Sequence, residues 1–450
     1  MRIEYIKSSC VLVESGGKKV LCDPWLTDGA YYGSWAQEYP PYELDPSRFD
    51  DVDYIYISHI HPDHLDPNTL SKLKKDIPII IHEFQAKFLK MKIERMGFEV
   101  IELPHGKEFS ICDQFKLSIF AADGCDPTLC GKFFGCNLTT RKDNSTQIDT
   151  LSVFSDSKHT VVNTNDSPIE LARPKVLPEI KSRYGKIDFL MHGYTNASPY
   201  PQCTVSLTEE EMLLEADRVM KLNYERCMGY IRELSPRYYM PFAGRYLLSG
   251  KLSKSNYLRA NFPPTHAKQY LSKHYADELG GKKCVLLNSH ESFDLKNATA
   301  SREYVAPDPE KVQEYIEKVL SKATFSYECD DLPSRDDLYS LLGESYRRME
   351  DKRAKMGFST DTDVYIKLAE GEYVLISMQG GGIQIVGYDR VRDSLKYVIL
   401  DLDTRLLHKI LKGPRYAHWN NADIGSHIKY TKHPNLYERG IYHTLCFFHS

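Results

Sequence analysis

Short apolar runs, rather than helical periodicity, dominate the first third of the chain. Residues 1–5, 10–14 and 19–22 read as strands, and Gly16-Gly17-Lys18 supplies a hairpin turn between the last two. Runs 53–58 and 77–81 are apolar and β-branched, the pattern of strands buried in a sheet. Residues 66–75 between them read as a short helix. Further strands are predicted at 100–103, 115–120, 151–154, 160–163 and 188–191. Strands interspersed with helices in this way imply an α/β sandwich with helices on the outside.

A long helix is predicted next. Thr208 caps it, Glu211 completes a capping box, and Met212, Ala216, Val219 and Met220 recur at three-to-four spacing. Ser235-Pro236 ends it after Leu234. Helices are also expected over 309–322 and 336–355. Residues 301–335 are rich in proline, aspartate and charge. From Asp363 the pattern reverts to strands at 365–368, 373–377, 383–388 and 396–401, an expected antiparallel meander with Gly380-Gly381-Gly382 as a turn. A helix over 403–411 and an aromatic-rich tail follow. The expected organisation is therefore a sandwich domain over 1–300, a helical connection over 301–362 and a smaller α+β C-terminal domain over 363–450.

Composition narrows the class. The chain has 450 residues, 42% hydrophobic and 27% charged, with a net charge of −4. That balance gives no pull toward nucleic acid or an anionic membrane, and neither is an expected partner. No apolar run approaches the ~18 residues of a membrane span. The first five residues lack the apolar core of an export signal. Eleven cysteines, an odd number without framework spacing, fit a reducing compartment, so a cytoplasmic location is expected.

The chemistry concentrates in Ser58-His59-Ile60-His61-Pro62-Asp63-His64-Leu65-Asp66, directly after a buried strand. On an extended strand end, His59 and His61 share a face and can grip one ion. Pro62 turns the chain, which brings Asp63 and His64 round to hold a second. Neutral imidazole with carboxylate suits zinc, iron or manganese rather than calcium. His82 and His105 also follow strands but have no ligand partner nearby in sequence, and they are expected to be structural.

The segment His59-Ile60-His61-Pro62-Asp63-His64 resembles the His-x-His-x-Asp-His pattern of the metallo-β-lactamase fold, and Leu21-Cys22-Asp23-Pro24-Trp25-Leu26 is similar to that family's early strand and Asp-Pro turn. The resemblance implies an αββα sandwich with two metals at one edge and further ligands from later strand ends. Asp166, in Asn163-Thr164-Asn165-Asp166, is expected to bridge the metals. His192, after Phe189-Leu190-Met191, is expected on the second. Asp123 takes the place of a third imidazole, with Asp126 and Asp149 as rivals. A carboxylate there hardens the site and shifts expectation from zinc toward iron or manganese.

Several further segments resemble the metallo-β-lactamase-like part of the CMP-N-acetylneuraminate hydroxylase family. They include Asp23-Pro24-Trp25 with Gly33-Ser34-Trp35, Pro241-Phe242-Ala243-Gly244, and Trp419-Asn420-Asn421-Ala422-Asp423. Those hydroxylases carry a Rieske iron–sulfur domain, which needs a Cys-x-His pair. This sequence shows none, so electrons are expected from a separate donor, a small reductant or the substrate. The resemblance implies an oxygenase holding two divalent metals, iron in preference to zinc or manganese, that acts on a small polar or anionic substrate. The alternative is a hydrolase of phosphodiesters, lactones or amides that activates water between its metals, with Asp166 and Asp63 positioning it. Arg237 and Arg245, flanking the Pro241–Gly244 turn, are candidates to pair with a substrate carboxylate or phosphate. The tail is expected to wall the substrate pocket.

Overall fold

The computed structural model describes residues 1–121, 149–195 and 197–450. Among them, eight strands form one sheet, in the spatial order Thr299–Ala300, Glu291–Asp294, Arg2–Lys7, Cys10–Ser15, Lys18–Cys22, Tyr54–Tyr56, Ile79–His82 and Val100–Leu103. Seven form a second sheet: Lys283–Cys284, Tyr238–Pro241, Phe189–His192, Thr160–Asn163, Thr150–Ser155, Phe115–Ala121 and Glu108–Cys112. Each sheet is antiparallel in one part and parallel in the other.

Strand alternation builds the layers. Ile3, Val11, Val13, Val20, Tyr56 and Ile80 of the first sheet share a core with Phe115, Leu117, Ile119, Phe154, Val161, Phe189 and Met191 of the second. The intervening residues face outward. Leu12, Leu21, Ile55, Ile79 and Ile81 pack with Leu70, Leu89 and Ile93 of the helices Pro67–Lys72 and Phe88–Arg95. Phe120, Val153, Val162 and Leu190 pack with Ile180, Met220, Tyr224 and Cys227 of the helices Val176–Tyr184 and Glu209–Leu234. The result is the expected αββα sandwich. Each large apolar side chain buried this way contributes ~1.5–3 kcal/mol. Because both faces of both sheets are buried, a one-residue slip would exchange an entire face, and the register is tightly fixed.

The predicted long helix forms as Glu209–Leu234, with the Thr208/Glu211 capping box in place and Ser235 at φ 46° ending it. Helix Pro67–Lys72 is capped by Asp66, which accepts hydrogen bonds from the Asn68 and Thr69 backbone N–H groups.

The C-terminal sheet runs Ile383–Gly387, Glu372–Ser377, Asp363–Ala369, Tyr397–Asp401 and Lys429–His433. The expected meander is corrected here. Asp363–Ala369 pairs parallel with Tyr397–Asp401, and the short helix Tyr388–Arg392 lies in the crossover between them. That crossover puts the Asp363–Ala369 strand in the centre, where Val364, Ile366 and Leu368 fill one core and Tyr365 another. Alternation marks a strand but not its neighbour, so the pairing was not readable from the pattern. The tail contributes the fifth strand.

Leu338, Leu342, Met349 and Met356 of the helix Arg335–Met356 share the core of this sheet. Leu171 and Cys203 from the sandwich join it, and Thr204 bridges to Tyr430. The C-terminal unit is thus packed onto the sandwich. Among the described residues, no helix is long and apolar enough to cross a membrane, and the eight described cysteines are free.

Candidate metal centre

The loop after Tyr54–Tyr56 is held in shape by Asp23, which is fully buried and sits at φ 43° after Lys18–Cys22. Its carboxylate accepts from the Ser58 N–H at 2.7 Å and the Ser58 hydroxyl at 2.8 Å. The same carboxylate lies 3.0 Å from His64 Nδ1. That contact turns His64 Nε2 inward, the arrangement in which a carboxylate fixes the tautomer of a metal-binding histidine. The Asp-Pro turn singled out in the sequence is therefore a support for the metal loop.

His59 is fully buried, and its Nε2 lies 2.9 Å from His61 Nδ1. Asp149 Oδ1 stands 3.7 Å from the same His59 nitrogen. These three residues form one group able to hold an ion. On the other side of His59, His64 Nε2 lies 3.5 Å from Asp166 Oδ2 and 3.6 Å from Asp63 Oδ2. His59, His64 and Asp166 form a second such group. Tyr31 donates to the other Asp63 oxygen at 2.5 Å.

A hydrogen-bond network sets the spacing of the three segments. Thr150 donates to the Ser58 carbonyl at 2.9 Å and shares a hydrogen bond with the Tyr56 hydroxyl at 2.8 Å. Asn165 donates to Tyr56 and to the Thr150 carbonyl. Asn165 sits at φ 46°, a conformation that asparagine tolerates better than most residues.

The electrostatics suit a cation. Burial pushes His59 well down and His61 to about 4, so both are neutral, the form that binds metal. Burial also opposes charge on His64, yet Asp166, Asp23 and Asp63 together hold its pKa well above the ordinary value. Burial raises Asp63, and Asp166 adds to the effect. Asp166 is lowered despite its burial, because His64 faces it. Three carboxylates thus face the His64 ring, a negative charge that a divalent ion would balance. The donor set and its charge therefore suit divalent metals: His59, His61 and Asp149 make one group, and His64 and Asp166 make the other with His59, while Asp63 stands 3.6 Å from His64.

The remaining predicted residues fall as follows. Asp123 and Asp126 lie outside the described residues. His192 ends the strand Phe189–His192, but the alternation that sends Phe189 and Met191 between the sheets carries Leu190 and His192 to the helix side. There His192 stacks on Tyr239, 6.2 Å between ring centres, and it belongs to neither metal-capable group among the described residues. Arg237 is exposed at the opposite end of the Tyr238–Pro241 strand, over the Tyr238 ring. Arg245 is paired with Glu38 at 2.6 Å and lines a cavity of about 150 Å³ with Lys7 and Tyr194. His105 accepts from the Ala121 N–H.

Sequence reasoning misses Tyr31, and Asn420 enters it only within the Trp419–Asp423 resemblance, without a role at the metal loop. Tyr31 carries no motif beyond its place after Gly29. Asn420, from the C-terminal unit, lies 2.9 Å from His61 Nε2, and His427 contacts the Tyr31 carbonyl at 2.7 Å. The tail thus closes over the metal loop.

Residues 2–123 match the beta-lactamase superfamily domain. A protein of Mycolicibacterium smegmatis named as a putative Rieske 2Fe-2S iron-sulfur protein is 28% identical over 249 residues, 54% of this chain and 43% of that protein. Cytidine monophosphate-N-acetylneuraminic acid hydroxylase of Cricetulus griseus is 27% identical over 259 residues, 55% of this chain and 41% of the relative. The chain therefore spans less than half the length of these relatives. Among solved structures, an isothiocyanate hydrolase from Delia radicum gut bacteria aligns over 65% of this chain and 99% of its own, with 15% identity and a TM-score of 0.42. CmlA, a diiron beta-hydroxylase from Streptomyces venezuelae, aligns over 63% of this chain and 52% of its own, with 16% identity and a TM-score of 0.38. Both hydroxylases and hydrolases thus stand among its likenesses. Residues 2–123, with the His59–His64 motif at their centre, are thus similar to the beta-lactamase superfamily domain.

Proposed function

We propose that the protein is a binuclear iron oxygenase acting on a small polar or anionic substrate, with electrons supplied by a separate donor. The observation that carries this reading is the position of Asp149, 3.7 Å from His59 Nε2 and grouped with His61. Two histidines and one carboxylate make the ligand set typical of non-haem Fe(II) oxygenases, which leaves positions open for other ligands. The second group is richer still in carboxylate, with Asp63 and Asp166 around His64. The stretch shared with a relative named as a hydroxylase supports the same reading.

When bound, iron would supply oxygen activation; zinc would supply water of lowered pKa instead. The chain's own residues do the positioning. Asp23 holds His64, Tyr31 holds Asp63, and Thr150 and Asn165 fix the two strand ends that bear Asp149 and Asp166. The C-terminal unit reaches the loop through Asn420 at His61 and touches Tyr31 through His427.

The second reading, a hydrolase of phosphodiesters, lactones or amides, rests on the same motif. One comparison separates them. The iron-loaded, reduced protein should consume oxygen and change its near-ultraviolet and visible absorption as oxygen is admitted. Turnover of a phosphodiester, lactone or amide by the zinc form under nitrogen, with an iron form indifferent to oxygen, would establish the hydrolase.

A further inference from the structure

Away from the metal loop, a cleft of about 380 Å³ opens between the helix Glu209–Leu234 and the C-terminal sheet. That volume is within the ordinary range for small-molecule sites. Its feature is Lys432, on the strand Lys429–His433, which is only 8% exposed. Among the described residues, its ammonium makes no hydrogen bond and has no carboxylate within 4.0 Å. The rings of Tyr200, Tyr430, Tyr437 and Tyr442 surround it at 5.7, 5.1, 5.8 and 5.6 Å. Those distances lie near the ~6 Å limit of cation–π attraction, so the rings compensate the buried charge only in part.

The neighbouring charges are already engaged. Arg218 is bound to Glu215 at 2.7 Å and Arg226 to Glu170 at 2.8 Å. Asp423 accepts from the Tyr430 hydroxyl. Burial lowers the Lys432 amine to about 8 and raises Asp423 to about 6, and the attraction between the two offsets burial only in part. At the mouth, Leu222, Leu436 and Tyr437 are 44%, 53% and 64% exposed, apolar surface gathered at an opening rather than scattered. A buried cation with no carboxylate in direct contact, tyrosine rings on the walls and an apolar rim define a complementary ligand.

We propose that this cleft is a second binding site, taking a small molecule in which a carboxylate or phosphate is joined to a flat aromatic body. The anion pairs with the Lys432 ammonium, and the flat body lies against the tyrosines. The site is separate from the metal loop, and the proposal stands whichever reaction that loop performs.

The test uses the full chain and two probes, 1-naphthoate for the carboxylate and adenosine 5′-monophosphate for the phosphate. Adenosine and inorganic phosphate are the controls lacking one half of the chemistry. One probe or both should bind one per chain, at least tenfold more tightly than the controls. Lys432→Met, which fills the space without charge, should weaken that binding at least tenfold with metal content unchanged. Tyr437→Ala, at the exposed mouth, should also weaken it and does not touch the core. As a check on the wild-type protein, pyridoxal 5′-phosphate should condense with the Lys432 amine, releasing water. Borohydride then reduces the imine, peptide mapping locates the label, and the bound probe should protect against it. Failure of both probes to bind overturns the proposal. So does binding unaffected by Lys432→Met and Tyr437→Ala, or labelling of surface lysines with Lys432 spared.

Discussion

Asn420 and His61 lie 359 positions apart in the chain, yet the Asn420 amide nitrogen stands 2.9 Å from His61 Nε2. The other ring nitrogen of His61 faces His59 at the metal loop. The carboxamide, which presents either N–H or oxygen, therefore sets which His61 nitrogen carries the proton. Partners of this kind are commonly worth 10–100-fold in metal affinity. Asn420→Ala should lower affinity by about that factor in a chelator-competition titration, with the fold intact. Unchanged affinity would show the contact to be incidental.

Arg245 was a candidate for substrate contact, and its geometry points to a structural role. Glu38 pairs with it at 2.6 Å, and both side chains are largely buried. Removing one partner of a buried pair strands the other charge, at a cost of about 3 kcal/mol. Glu38→Gln should lower stability by about that amount in urea melts. Arg237→Ala, at an exposed site, should change stability by less than ~0.5 kcal/mol. Equal effects from the two variants would show that the ion pair contributes little.

The C-terminal unit should be sensitive to acid. Burial pushes His427 and His443 to about 4, against ~6.5 for an unfolded histidine. Above pH ~6.5 both states are neutral and no difference arises. Between ~6.5 and 4 the unfolded chain takes up protons that the folded one refuses, so stability falls with falling pH. Each histidine contributes of order 1 kcal/mol per pH unit in that window. A His427→Gln, His443→Phe double variant should show a shallower loss between pH 7 and 5. An identical slope would place the acid sensitivity elsewhere.

The metal loop was legible because its first four ligand candidates lie within six residues, where strand end and proline turn fix their directions. The third ligand for His59 and His61 is left open by the sequence between Asp123, Asp126 and Asp149, because candidate carboxylates cluster in one stretch of it. Asp149, directly before the strand Thr150–Ser155, is the one among the described residues, and it lies beside His59. The expected strand for His192 is present, but the face on which its last residue falls depends on register, which only the packed sheet displays. Asn420 reaches the site through the packing of the C-terminal unit and Tyr31 from the short helix Ala30–Gly33, and no local pattern marks either contact. The αββα layers, by contrast, followed from alternation and capping residues such as Thr208 and Glu211, which act locally.

The central claim is that His59, His61 and Asp149 hold one ion while Asp63, His64 and Asp166 hold another. Metal content of protein saturated with Fe(II) under nitrogen, for wild type and Asp149→Ala, tests it most directly. The account predicts about two equivalents for the wild type and about one for the variant, because the ion between His59 and His61 loses its carboxylate. Two equivalents retained in Asp149→Ala, or none in the wild type after iron, manganese and zinc are each supplied, would contradict it.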